Sequence, residues 1–253
     1  MNDFYGLRKK KIIVTGATSG IGRTLVKQLD SEHADLLLIG RSREKLEALT
    51  GELSRKPTCC VIDLTDLGQL QNIANFLPDK IDGLVHAAGV ESVEPIRRIS
   101  YQKFDSIMRL HVYSFVELVK LIERHKKPGV DYPTSVVALS SIASKSGGVG
   151  QTMYSASKSA LEAVVKVLSK ELVKKRIRFN SVKPGLVDTE MTRRWMQRIG
   201  ITDIQELDKL QLSGMSSALD ISNLIIFLLS DRSKHIVGTD IIVDGGGPSS
   251  KIF

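Results

Sequence analysis

The chain has 253 residues, 42% hydrophobic and 25% charged, which is the composition of a soluble globular protein long enough to bury a core without disulfide staples. Its two cysteines, Cys59 and Cys60, are adjacent and fit neither a disulfide framework nor a metal site, so reduced, buried thiols in a cytoplasmic protein are expected. The formal charge of +8 is spread along the chain, concentrated only at Arg8–Lys11 and Lys170–Arg178, and aromatics are only 5%, which argues against nucleic acid as the partner.

The opening stretch, MNDFYGLRKKKIIVTG, has no apolar run before a small-residue cleavage site, so no secretory signal is expected. KIIVTG (11–16) is the first of seven short runs rich in Val, Ile and Leu without strict alternation, the pattern of strands covered on both faces of a parallel sheet. TGATSGIG follows directly, from Thr15 to Gly22, and leads into the helical pattern GRTLVKQLD. Gly16, Gly20 and Gly22 let the backbone turn tightly and let a pyrophosphate approach, with Thr18, Ser19 and Ile21 completing the loop at a helix N-terminus. A glycine loop after the first strand of an α/β chain points to a dinucleotide; a bare structural turn is the plain alternative.

DLLLIG (35–40) is the second predicted strand, and its end distinguishes the two nicotinamide dinucleotides. An NAD site presents a carboxylate to the ribose there, whereas an NADP site presents a cation. Here Gly40 stands in the acidic position and Arg41 follows, with Ser42 and Arg43 as further donors, so NADP(H) is expected. The helical pattern REKLEALTGEL leads to a third strand, TCCVIDL (58–64), in which successive cysteine side chains leave opposite faces. LGQLQNIANFL reads as a helix, DGLVHAAG (82–89) as the fourth strand, and YQKFDSIMRLHVYSFVELVKLIERH as the longest helix.

The fifth strand, SVVALSS (135–141), ends on Ser141. After the loop IASKSGGVGQTM come Tyr154 and Lys158, four residues apart on one helical face with Ser155, Ala156 and Ser157 between them. A phenol is ordinarily neutral with a pKa near 10. A nearby lysine cation favours the phenolate, which would make Tyr154 an acid/base near neutral pH, with Ser141 holding the substrate oxygen. The bland alternative is an amphipathic tyrosine and a snorkelling lysine. SALEAVVKVLSKELVKK continues the helix, and IRFNSVKPG (177–185) is the sixth strand. Residues 186–215 break the rhythm and read as a lid. In it Met191, Trp195, Met196 and Ile199 fall near one helical face, able to read an apolar substrate portion or simply to pack the lid. ALDISNLIIFLLS is the last helix, its apolar run far short of a membrane span, and TDIIVDGG (239–246) is the seventh strand. Strand and helix alternate throughout, so a single doubly wound α/β domain over residues 1–253 is expected, with about seven parallel strands and helices on both faces.

TGATSGIG, SS…YSASK and VKPGLVDT, in this order and at these distances, resemble the short-chain dehydrogenase/reductase family, from about Lys10 to IIVDGGG. The resemblance implies a Rossmann-type fold, hydride transfer between NAD(P)(H) and a carbonyl or alcohol, and a homo-oligomer, tetramer or dimer. It assigns Tyr154 as acid/base, Lys158 to the nicotinamide ribose and the tyrosine pKa, and Ser141 to substrate orientation. It also implies adenine contacts at Asp63 and Leu64 and backbone contacts at Ala87, Ala88 and Gly89, with Pro184, Gly185, Val187 and Thr189 lining the nicotinamide. Many members resemble reductases of 3-oxoacyl carrier-protein thioesters, and Lys174, Lys175 and Arg176 could meet an acidic carrier protein. Sugar, steroid and xenobiotic carbonyl compounds stay open as substrates, and no membrane partner is implied.

Two positions depart from the family pattern. HAAG places His86 and Ala87 where the family usually has two asparagines, and His111 replaces an asparagine at a helix kink that holds a water linked to the lysine. His111 can join that proton relay or be a structural histidine, and it is kept among the candidate catalytic residues. These changes also leave room for a cofactor-binding redox sensor or scaffold with little catalysis. The loop RHKKPGVDYPTS (124–135) is longer than usual and is expected at an oligomer surface.

Overall fold

The computed structural model describes residues 3–126, 132–201, 203–209 and 211–246. Residues 127–131 of the 124–135 loop singled out above lie outside them. The strands β1 (Lys11–Thr15), β2 (Asp35–Gly40), β3 (Thr58–Val61), β4 (Gly83–His86), β5 (Thr134–Leu139) and β6 (Ile177–Pro184) alternate with helices α1 (Gly20–Ser31), α2 (Arg43–Thr50), α3 (Tyr101–Met108), α4 (Ser114–His125), α5 (Ala143–Ser146) and α6 (Thr152–Glu171). The lid contributes β7 (Val187–Asp188), α7 (Glu190–Ile199), α8 (Ile204–Asp208) and β8 (Ser216–Ser217), and α9 (Ala218–Leu229) and β9 (Asp240–Val243) close the fold. Seven strands form one parallel sheet in the order β3-β2-β1-β4-β5-β6-β9, while β7 and β8 pair separately.

Both faces of the sheet are buried, which explains runs without alternation. Ile13, Leu37, Leu84 and Val136 face one core with Phe115, Leu118, Leu161 and Val165 from α4 and α6. Ile12, Val14, Leu38, Val85 and Val137 face the other with Leu25, Leu29, Ile221 and Ile225 from α1 and α9. Cys60 belongs to the first core and Cys59 packs on the second, as alternation along a strand requires, and both are free thiols.

Two helical predictions change in detail. Leu70–Phe76 is a 3₁₀ helix rather than an α-helix; Pro78 forces Leu77 into an extended conformation and ends the segment after seven residues. The long helix before β5 is interrupted by a π-helical turn, Arg109–Tyr113, with His111 at its centre. Among the described residues no helix is long and apolar enough to cross a membrane, and no cluster of side chains could hold a metal ion.

The lid is an ordered unit. Trp195 and Met196, 7% and 5% exposed, form a small core with Leu207, against which Val93, Leu186, Ile201, Ile204 and Met215 pack. Trp195 and Met196 therefore pack the lid, the plainer of the two roles open to them. The side chain of Ile199 lies outside the described part of the structure.

Candidate active site

Strand order reverses between β1 and β4, and the crevice beyond their C-terminal ends is where an open α/β sheet binds its ligand. The glycine loop leaves β1 at that point. Gly16 has φ +64°, and a Cβ on it would sit 2.7 Å from the Ala88 nitrogen and 2.8 Å from the Ala87 carbonyl carbon. On Gly22 a Cβ would lie 2.2 Å from the Gly16 carbonyl oxygen. Neither position takes a side chain unless backbone moves. Ser19 precedes α1 in extended conformation and its side chain makes no cap bond, which leaves the first-turn N–H groups without intrahelical acceptors. Thr18 is half-buried and Ile21 packs on the core below. Across the loop, a Cβ on Gly20 would stand 3.6 Å from Thr189 Cγ2, so the turn after β1 and the entry to α7 face each other.

This cradle fits a dinucleotide's phosphates by its close backbone and free helix N-terminus. At the end of β2, Arg41 is exposed and its charge is felt by Asp63 at the end of β3. The Asp63 carboxyl is held below its usual range first by the Thr65 backbone N–H, at 2.9 Å, then by the Thr65 hydroxyl and Arg41. Ser42 caps α2, accepting from Lys45 N–H at 3.2 Å, so its oxygen already has a structural task. Leu64 buries its side chain in the core and has only backbone to offer. Pro184 ends β6, Gly185 is pressed against Asp244, where a Cβ would meet Asp244 Cβ at 2.7 Å, and Val187 is buried in the core beneath.

Ser141 and Tyr154 lie close enough for the Ser141 hydroxyl to favour the phenolate and so act against the rise in the phenol pKa. Ser141 Oγ also accepts from Ala143 N–H at 3.2 Å, which holds it at the strand end. Lys158 is 4% exposed, donates to the Leu139 carbonyl at 2.8 Å, and has its Nζ 5.7 Å from the Tyr154 ring centroid. Burial pushes its ammonium down to about 8, and the Glu162 carboxylate opposes that fall. Lys158 does not by itself lower the phenol in this arrangement. Burial pushes Tyr154 up, the Ser141 hydroxyl counters it, and the Glu91 carboxylate pushes it up further. The ammonium is aimed at a carbonyl, not at the phenol oxygen, so the phenol is a protonated donor at neutral pH.

Several residues of this region were not singled out from the sequence. Glu162 lies one turn beyond Lys158 on the same face of α6. It accepts from the Ser140 hydroxyl and from Lys183 Nζ at 2.9 Å, and all three residues are buried. The triad joins the end of β5 beside Ser141, the helix carrying Tyr154 and Lys158, and the end of β6 beside Pro184. Sequence separation hid it: residues 140, 162 and 183 meet only once the parallel sheet forms.

The motif spacing and this geometry agree with the comparisons. Residues 16–247 match the family model described as enoyl-(acyl carrier protein) reductase, of the short-chain dehydrogenase type. The chain belongs to the short-chain dehydrogenase/reductase family. It is 30% identical to an L-xylulose reductase of Bos taurus over 95% of this chain and 97% of that protein. It is 29% identical to a 3-oxoacyl-[acyl-carrier-protein] reductase of Thermotoga maritima, over 95% and 98% of the two chains. The fold matches that of the L-sorbose reductase of Gluconobacter frateurii, whose structure was solved with NADPH and L-sorbose, with a TM-score of 0.87 at 23% identity over 96% and 98% of the two chains.

Against the family pattern, both histidines now have surroundings. His111 is fully buried and its Nδ1 lies 2.8 Å from Ser157 Oγ, while its Nε2 lies 3.0 Å from the Val90 N–H. Ser157 donates its own proton to the Tyr154 carbonyl at 2.7 Å. His111 must therefore donate from Nδ1 to Ser157 and accept at Nε2 from Val90, the neutral form with both nitrogens engaged. Burial and then the Lys158 charge hold it well below the ordinary imidazole range, consistent with that tautomer. His86 has its Nδ1 3.1 Å from the Thr15 hydroxyl, which in turn accepts from Ala88 N–H at 3.1 Å. This ties the backbone of the fourth-strand motif to the glycine-loop strand.

Burial, followed by the Lys158 charge, pushes His86 down to about 3. The unfolded chain binds a proton below its ordinary value near 6.5 that the folded one refuses, so this stability is complete above pH 6.5 and is lost as the pH falls toward 3. At about pH 5 the loss from this residue is roughly 2 kcal/mol. Thermal unfolding from pH 7 to 5 should show a drop in Tm that is smaller in His86→Asn. Parallel falls in both proteins would remove His86 as a cause.

Proposed function

We propose that this chain is an NADP(H)-dependent oxidoreductase that reduces a ketone to an alcohol with Tyr154 as proton donor. The carrying observation is the grouping of Ser141, Tyr154 and Lys158, the last with its Nζ 5.7 Å from the Tyr154 ring centroid, beside the glycine loop at the sheet's switch point. When bound, the nicotinamide supplies two electrons as hydride to the carbonyl carbon. Ser141 hydrogen-bonds the carbonyl oxygen and Tyr154 gives it the proton, so C=O becomes CH–OH. The Lys158 ammonium, 5.7 Å from the phenol ring, favours the phenolate left behind by its charge without bonding it. The glycine loop, the α1 N-terminus and Thr189 hold the phosphates and nicotinamide end, and Ala87–Gly89 offer backbone. His111 positions the Val90 backbone and the Tyr154 turn through Ser157, and its side chain carries no proton to the substrate.

The basic run that suggested an acidic carrier protein stands away from Tyr154. Lys174, Lys175 and Arg176 follow the far end of α6, which runs from Thr152 to Glu171. Tyr154 is about 26 Å of helix away. Lys175 is also paired with Glu123.

NADPH should bind much more tightly than NADH. Losing the charge-assisted bond in Arg41→Ala should weaken NADPH binding by about 1.5–3 kcal/mol and leave NADH nearly unchanged. Titration calorimetry reads both constants, and an equal loss for the two cofactors contradicts a 2′-phosphate role for Arg41.

A further inference from the structure

Two residues beyond Gly89, where a Cβ would meet Lys158 Nζ at 3.4 Å, stands a carboxylate that the reduction described above does not use. Glu91 follows β4 in the segment after Gly89, is 15% exposed, and its charge is felt at the phenol. Its partner comes from the lid: Arg198 Nη1 of α7 lies 2.8 Å from Glu91 Oε1. That contact is a charge contact without an aligned hydrogen bond, so the buried Oε1 keeps a lone pair uncommitted. Burial raises the Glu91 carboxyl, and Arg198 and then Arg194 oppose the rise. The segment is fixed on both sides. Val93 packs on the Trp195–Met196 core of the lid, and Glu94 N–H donates to the Gly150 carbonyl at 2.8 Å, just before α6. Gln151 Oε1 and Ser155 Oγ, three residues before and one after Tyr154, are also buried without a partner.

We propose that Glu91 and Arg198 recognise hydroxyl groups beside the reacting carbonyl, so that the substrate is a polyhydroxylated ketone and not an apolar 3-oxoacyl chain. A hydroxyl is both donor and acceptor, so one hydroxyl can give its proton to the carboxylate and accept from the guanidinium. An alkyl chain in the same place strips water from both charges and returns no bond. A site built to bond a hydroxyl rejects the analogue lacking it by far more than the 10- to 200-fold that a methylene commands. The inference rests on the carbonyl-reductase reading and names its substrate class.

The test compares a 2-ketopentose, 2-pentanone and a 3-oxoacyl thioester. It uses the full chain, Glu91→Gln and Glu91→Ala. Trp195 is the chain's one tryptophan and shares α7 with Arg198, so its emission reports occupation of the site independently of turnover. The ketopentose should quench or shift that emission at concentrations at least about 1,000-fold lower than 2-pentanone, and kcat/KM should favour it by a similar factor. Both preferences should collapse by more than about 30-fold in Glu91→Ala and less in Glu91→Gln, which keeps one acceptor oxygen. Equal or better use of 2-pentanone or the thioester overturns the proposal, and so does a preference that Glu91→Ala leaves in place. NADPH oxidation with none of the three overturns the reductase reading, while a Glu91-dependent emission change with the ketopentose still supports recognition of its hydroxyls. No emission change and no oxidation overturns both.

Discussion

Tyr154→Phe is expected to lower kcat by about 10²–10⁴-fold while NADPH affinity stays within about threefold. The substitution removes only the hydroxyl, and the ring remains in its edge contact with His111, 5.9 Å between centroids. The phosphate cradle is untouched because it is backbone of the glycine loop and the α1 N-terminus. The phenol is the acid that stands beside Ser141, and burial pushes its pKa up. Ser141 loses its neighbouring hydroxyl in the variant and can still hold a carbonyl oxygen, so KM should move less than kcat. Steady-state kinetics with calorimetric NADPH binding separates the two effects. A variant that keeps most of its turnover removes Tyr154 from proton transfer.

A second large effect is expected from the buried triad. Glu162→Ala should destabilise the fold by about 3–5 kcal/mol, since it strands the Lys183 ammonium in the interior. Lys183 and Glu162 have side chains only 7% and 10% exposed, so water cannot replace the lost partner without opening the packing. Glu162→Gln with Lys183→Met removes both charges at similar volume and should recover most of that loss. Denaturant unfolding gives the stabilities. The kinetics add a sign. Glu162 raises the Lys158 ammonium, so without it that group titrates below its value of about 8. Activity that needs the cation should then fall away at lower pH on the alkaline side, in the double variant as well. An unmoved alkaline limb in the double variant would show that Glu162 holds the helix without tuning Lys158.

Much of this was legible in the residues, for reasons that can be named. All seven short runs became strands of one sheet because a doubly covered parallel strand is apolar on both sides and these runs are too short for a helix. Gly16 and Gly22 announced close backbone approaches that the structure shows, and the four-residue spacing of Tyr154 and Lys158 put them on one helical face. What stayed hidden depends on contacts between distant segments. The triad of Ser140, Glu162 and Lys183, and the meeting of Glu91 with Arg198, leave no local pattern. Neither do the two partners that fix the His111 tautomer. Sequence spacing says that Lys158 is near Tyr154, but not that burial pushes the phenol up or that the ammonium points to the Leu139 carbonyl. Trp195 showed a helical apolar face, and periodicity cannot tell a face that packs on its own lid from one that meets substrate.

The most direct test of hydride transfer to a ketone uses NADPH deuterated at the nicotinamide C4 and a 2-ketopentose. The expected result is one deuterium on the new carbinol carbon of the product, with product formed by the wild-type chain and lost in Tyr154→Phe. NADPH that binds but yields no deuterated alcohol, with the ketopentose or either of the other carbonyl compounds, would contradict it.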